Sequence, residues 1–180
     1  PPEDKYISAI PAVRSLAESP IVFDKPVTFF VGENGSGKST VLEAIAVKYG
    51  FNPEGGGRQF SFSTADTHSE LSGYIVLSKK YRPKDGFFLR AESMYNFFTN
   101  MEERAKEDGL AYKAYGGRSL HTRSHGESFT EILKTRFVGQ GLYILDEPEA
   151  ALSVSKQLAM MCIMDGLVKS DSQFIIATHS

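Results

Sequence analysis

The sequence predicts an α/β fold, a mostly parallel sheet flanked by helices, and three observations carry that prediction. Short apolar runs recur along the chain: PVTFFV at 26–31, GLYIL at 141–145 and QFIIAT at 173–178. Helical patterns separate them, at 39–49, 127–137 and 154–168. Strands buried on both faces read as continuous hydrophobic runs rather than alternating ones, and strands that alternate with helices pair in parallel.

Each element has its own signal. The run at 26–31 ends at Gly32 and reads as a short buried strand. The helix at 39–49 shows Val41, Leu42, Ile45 and Ala46 on one face, and Gly50 with Asn52-Pro53 stops it. The helix at 127–137 presents Phe129, Ile132, Leu133 and Phe137. Between the first helix and this one the pattern changes. QFSFS at 59–63 alternates like a half-exposed strand, and GYIVLSKKYRPKDGFFLRAES reads as a hairpin turning at Pro83-Lys84-Asp85-Gly86. A helix is expected from Met94 to Lys106, then a loop to Arg123. The expected organisation is one domain, with a core lobe at about 1–58 and 138–180 and an antiparallel β/helical side lobe at about 59–137.

Composition narrows the function classes. The chain has 180 residues with Lys+Arg 20 against Asp+Glu 22, so a net charge of -2 excludes a strongly basic, nucleic-acid-coating protein. No apolar run is long enough to span a bilayer, and no secretory leader is read at the start. The single cysteine, Cys162, lies among apolar neighbours and is expected to be a small buried thiol. A reducing cytoplasm is the expected setting. His68 and His121 have no ligand-like spacing. Lys79-Lys80-Tyr81-Arg82 and Arg118 are expected to form a solvated basic face.

The chemistry concentrates in three places. Gly32-Glu33-Asn34-Gly35-Ser36-Gly37-Lys38-Ser39-Thr40 fits the Walker A pattern between a strand and a helix, which predicts a P-loop NTPase core. Glycines let successive backbone N–H groups face a phosphate chain, and the helix N-terminus adds partial positive charge there. Lys38 is expected to reach the β- and γ-phosphates, and the Ser39 hydroxyl to coordinate Mg²⁺. Downstream, four apolar residues run into Asp146-Glu147. A carboxylate at the end of a strand is placed to hold Mg²⁺, so Asp146 is the metal candidate and Glu147 the candidate base toward water. Thr178-His179-Ser180 follows the last strand, where an imidazole can meet a γ-phosphate.

Ser124-His125-Gly126-Glu127-Ser128 supplies a small hydroxyl and a glycine just before a helix. Together, GENGSGKST, SHGES, LYILDEPEAALS and FIIATHS resemble the ordered motifs of ABC-type ATPases: Walker A, signature, Walker B with its D-loop, and the histidine switch. The separations are similar too, and the likeness spans nearly the whole chain. It is nearer to the SMC, RecF and overcoming-lysogenisation-type (OLD-like) group than to transporters, and nearest to small bacterial predicted ATPases of unassigned role.

The resemblance implies an ATP-sandwiched homodimer that hydrolyses MgATP. Lys38, Ser39, Asp146, Glu147 and His179 come from one copy, and Ser124 with Gly126 from the other. It further implies that Arg14 and Ser15 lie beside the nucleotide, and that Glu92 stands nearest to the usual Q-loop glutamine as a metal contact. It implies too that domains of this kind continue past the histidine motif. The chain departs from the family at Arg123, where leucine is usual, at His125, where glycine is usual, and at Ser153, where aspartate is usual. The stretch from Lys38 to Ser124 is too short for an SMC coiled coil. A nucleotide-gated module for DNA or a protein partner, with slow turnover, is the competing expectation.

Overall fold

The computed structural model describes residues 1–2, 5–57, 70–94, 99 and 125–179. In chain order the elements are a 3-10 turn Tyr6–Ala9, α1 Pro11–Glu18, β1 Val27–Val31, α2 Lys38–Tyr49 and the short α3 Leu71–Tyr74. Next come β2 Asp85–Arg90, α4 His125–Arg136, β3 Gly141–Asp146, a 3-10 turn Pro148–Ala151, α5 Val154–Val168 and β4 Gln173–Thr178.

The four strands form one parallel sheet in the order β1-β4-β3-β2. Side chains alternate between its faces, so each central strand supplies two cores. Phe87, Leu89, Tyr143, Leu145, Phe174 and Ile176 point to the side covered by α4 and α5, where Phe129, Ile132, Leu133, Phe137, Met160 and Met164 meet them. Phe88, Leu142, Ile144, Ile175 and Ala177 point to the other side, under Val41, Leu42, Ile45 and Ala46 of α2. All six residues of β3 are buried, which explains its unbroken apolar run. Among the described residues no helix is long and apolar enough to cross a membrane.

Several expectations are corrected. The hairpin is not formed: residues 75–84 make no strand, and β2 pairs in parallel with β3, Asp85 opposite Gly141 and Arg90 opposite Asp146. This strand, assigned from sequence to the side lobe, is therefore part of the core sheet. The run at 26–31 is an edge strand, with Phe29 57% and Val31 68% exposed, rather than a buried one. Cys162 lies on the outer face of α5 and is exposed. Lys79 is not only solvated, since its ammonium stands 3.9 Å from the centre of the Tyr49 ring. The QFSFS strand, most of the helix from Met94 to Lys106, His68, Arg118, His121 and Arg123 lie outside the described residues.

Gly86 explains the misread turn. It is needed for close approach: a Cβ there would sit 2.7 Å from Phe51 Cζ and 2.9 Å from the Leu142 carbonyl oxygen. Gly86→Ala should therefore lower stability by about 1–3 kcal/mol through overpacking, read as a shifted denaturant midpoint at unchanged slope.

Candidate functional site

The parallel register brings the C-terminal ends of all four strands to one edge. Val31 lies opposite Thr178, Asp146 opposite Ala177 and Arg90 opposite Asp146. In open sheets of this kind, ligands bind in the crevice at that edge.

The glycine loop leaves β1 and enters α2. Gly37 has φ +96 and caps α2 without any side-chain hydrogen bond, so the first N–H groups of the helix are presented to an incoming anion. A Cβ at Gly37 would also stand 2.2 Å from Ile10 Cγ2, so glycine is required there twice over. Helix α1, which the sequence reading missed, braces the loop through Ala12 N–H donating to the Ser36 carbonyl at 3.2 Å. Lys38 is 6% exposed and folds over the loop. Its ammonium donates to the carbonyls of Gly32 at 2.7 Å and Glu33 at 2.8 Å. Ser36 Oγ is a buried polar atom with no hydrogen-bond partner, and Asn34 and Gly35 are exposed at the tip. An N–H-lined loop with a lysine above it and an unsatisfied hydroxyl fits a phosphate chain.

The carboxylates meet this loop from β3. Ser39 Oγ donates to Asp146 Oδ1 at 2.9 Å, joining the first turn of α2 to the end of the strand. Asp146 is 3% exposed. Burial holds its carboxyl above the ordinary range, and neighbouring Glu147 and Glu43 add to that, against the opposing pull of Ser39 and Arg90. Arg90 is the local countercharge. Its guanidinium hydrogen-bonds buried Glu43 at 2.8 Å and pairs with Glu92 at 3.2 Å. Its Nε is 3.3 Å from Asp146 Oδ2, near enough to pair in charge but not aligned as a hydrogen bond. A serine hydroxyl beside an aspartate, both reached from a phosphate loop, is a donor set that suits Mg²⁺. Among the described residues no group of three His, Cys, Asp or Glu forms a metal cage alone, so such an ion would need phosphate oxygens and water as well.

The third part follows β3 and β4. Glu147 sits at φ +50, a left-handed conformation costly for a side-chain-bearing residue, and its N–H donates to the Ala177 carbonyl at 3.0 Å. His179 Nδ1 lies 3.6 Å from Glu147 Oε1 and 3.5 Å from Glu149 Oε1. Glu149 Oε1 also accepts from Thr178 Oγ1 at 2.5 Å and from His179 N–H at 3.1 Å. Burial would raise the Glu149 carboxyl, but these hydrogen bonds and the nearby imidazole outweigh it and hold the group below the usual range.

The structure thus gathers Lys38, Ser39, Asp146, Glu147 and His179 along one sheet edge, with Gly35, Ser36 and Gly37 in the adjoining loop and half-buried Thr40 in the first turn of α2. Glu92 reaches the group only through Arg90 and is 82% exposed. Arg14 and Ser15 are exposed on α1, and Arg14 Nε donates backward to the Ser8 carbonyl at 3.1 Å. Gly126 lies in the first turn of α4, while Ser124 lies outside the described residues. Ser153 precedes α5 and contacts Ser155 Oγ at 3.2 Å. Sequence reading missed Glu43, Arg90 and Glu149. Glu43 carried one signal, a carboxylate one turn after Ser39 that interrupts the apolar run from Val41 to Val47.

The raised carboxyl of Asp146 gives a signed prediction. Its proton is held more tightly in the fold than in the unfolded chain, so ionisation costs stability as pH rises through the folded value. Asp146→Asn should therefore be more stable than the unsubstituted chain at neutral pH, with the gap closing as pH falls and Asp146 becomes neutral. Thermal unfolding across that pH range checks it.

Residues 10–150 match the family model described as AAA domain. A stretch of 64 residues is 38% identical to the "DNA double-strand break repair Rad50 ATPase" of Methanocaldococcus jannaschii, covering 36% of this chain and 6% of that protein. Another 168-residue alignment is 26% identical to the "Ribose import ATP-binding protein RbsA" of Bacillus cereus, covering 83% of this chain and 33% of that protein. The chain therefore spans a third or less of the length of these curated relatives.

Proposed function

The chain belongs to the AAA domain family as an ABC-type ATPase of the SMC/RecF-like kind, and from that premise we propose that it hydrolyses MgATP in a site shared by two copies. The observation that supports this most is the bond between Ser39 Oγ and Asp146 Oδ1 at 2.9 Å, beside a lysine already folded over the phosphate loop. Lys38 exchanges its two carbonyl partners for β- and γ-phosphate oxygens. The N–H groups at 34–40 cradle the chain of phosphates. Ser39 and Asp146 would hold Mg²⁺, which would supply charge neutralisation at the phosphates, and Glu92 could join them only by releasing Arg90. Glu147 accepts a proton from the attacking water, and His179 orients that water against the γ-phosphate. Arg14 and Ser15 flank the nucleotide from α1.

The second copy supplies Ser124 and, from the first turn of α4, Gly126, closing on the γ-phosphate of its neighbour. Positioning and charge stabilisation dominate phosphoryl transfer, so half a site turns over slowly. The departures at Arg123, His125 and Ser153 lie in the signature-like and D-loop motifs, which in the shared site proposed here would meet the second copy. They favour, as a second reading, a nucleotide-gated switch in a cytoplasmic setting that opens or closes on DNA or a protein partner. The stretch similar to a DNA-repair ATPase points the same way.

Two outcomes follow. Activity per molecule rises with protein concentration in the submicromolar range; a constant value on dilution argues against a shared site. Glu147→Gln lowers kcat by about a hundredfold or more while keeping ATP affinity, and it accumulates a dimer only with ATP, read by light scattering. Strong stimulation by single-stranded DNA, duplex DNA or RNA selects the switch reading over the self-sufficient enzyme.

A further inference from the structure

The turn after β3 carries a carboxylate that neither the metal nor the water-activating role uses. Glu149 is largely buried, with a side chain 12% exposed, and it reaches across to the end of β4. One of its oxygens, Oε1, accepts from the Thr178 hydroxyl at 2.5 Å and from the His179 backbone N–H at 3.1 Å. The same oxygen stands 3.5 Å from His179 Nδ1. Its contacts therefore fix the backbone that bears the imidazole and hold a carboxylate oxygen facing Nδ1. Resting on the functional reading above, we propose that Glu149 is the positioning residue for His179, holding the ring with its proton on Nδ1 so that the Nε2 lone pair accepts a hydrogen bond from the attacking water.

The physical reason lies in the two ring nitrogens. Which of them carries the proton is set by the hydrogen-bond partner of the other. Glu147 and Glu149 both face Nδ1, at 3.6 and 3.5 Å, and both are acceptors when ionised. Glu147 sits in a strained left-handed turn and its side chain is 32% exposed, so it is the poorer anchor. Glu149 is tied on two sides to the strand that carries the histidine. With the ring held by Glu149, Glu147 is left able to turn toward water. A merely structural Glu149, pinning a turn to β4, would have the same backbone contacts but no influence that passes through the imidazole.

A mutant cycle separates the two. Glu149→Gln keeps an oxygen acceptor for Thr178 and the His179 N–H but removes the charge, so the chain should fold. It should lower kcat by about tenfold while leaving the KM for ATP within about twofold. In a His179→Ala background the same change should cost less than about twofold, because the residue it acts through is gone. An undiminished loss in that background overturns the proposal. The second readout needs no turnover. Nitrogen-15 NMR of the nucleotide-free chain, at a pH where imidazole is neutral, should place the His179 proton on Nδ1. Glu149→Ala should move it to Nε2, and an unchanged tautomer would overturn the proposal even if the ATPase reading stands. If the unsubstituted chain fails to hydrolyse ATP, that reading falls, and the tautomer result still decides the role of Glu149.

Discussion

The site depends on register. Strands β1, β4, β3 and β2 pair in parallel so that Val31, Thr178, Asp146 and Arg90 finish side by side. Residues far apart in sequence then share one edge, and Ser39 reaches Asp146 from 107 positions away. A shift of one residue in any strand would turn its buried face outward as well as move its terminal side chain. The pairing is held because both faces are apolar: Tyr143, Phe174 and Phe87 lie under α4 and α5, and Ile144, Ile175 and Phe88 under α2. Packing over the whole sheet is what fixes the chemistry at its end.

What could be read from the sequence follows from the same physics. Helix α5 and strand β4 match the expected spans, and α2, β1, β3 and α4 lie within a residue or two of theirs, because strands covered on both faces and helices with one apolar stripe leave strong local patterns. An apolar edge strand leaves the same pattern, so the exposure of Phe29 and Val31 was not readable. Pro83-Lys84-Asp85-Gly86 carries ordinary turn chemistry, yet the glycine serves close packing against Phe51, a contact invisible in one dimension. Glu43 and Arg90 lie 47 positions apart, and Glu149 and Thr178 lie 29 apart. Each is an unremarkable charge until the sheet assembles. Motifs reveal groups that must face a ligand, whereas the groups that hold those in place are found only through the fold.

The two ends of the sheet are built differently. At the N-terminal end, the Tyr143 hydroxyl donates to Asp85 at 2.8 Å and accepts from Gly139 N–H at 3.1 Å, and its ring stacks on Phe137 with centroids 4.1 Å apart. Burial and the Asp85 bond push that phenol well above its usual range, so it stays a neutral donor. Gln173 likewise satisfies the carbonyls of Phe23 and Lys25, both at 3.1 Å. The left-handed residues at this end, Gln140 and Asp171, lie in exposed turns, where such a backbone costs little else.

At the C-terminal end the arrangement is reversed. Asp146, Glu43 and Lys38 are buried, and Glu147 takes a left-handed backbone conformation beside them. Burying charge costs several kcal/mol per ion, on the order of what a whole small domain retains as net stability, unless partners offset it. Arg90 offsets the carboxylates and two backbone carbonyls hold the lysine, yet the Asp146 carboxyl remains above its ordinary range. An interior selected for stability alone would place apolar side chains there, as it does one layer below at Leu145 and Ile176. The unrelieved charge suits the ligands proposed above: a phosphate chain would answer the lysine and the helix N-terminus, and a divalent cation the aspartate. The well-satisfied opposite end and the two apolar cores carry the stability that this end gives away.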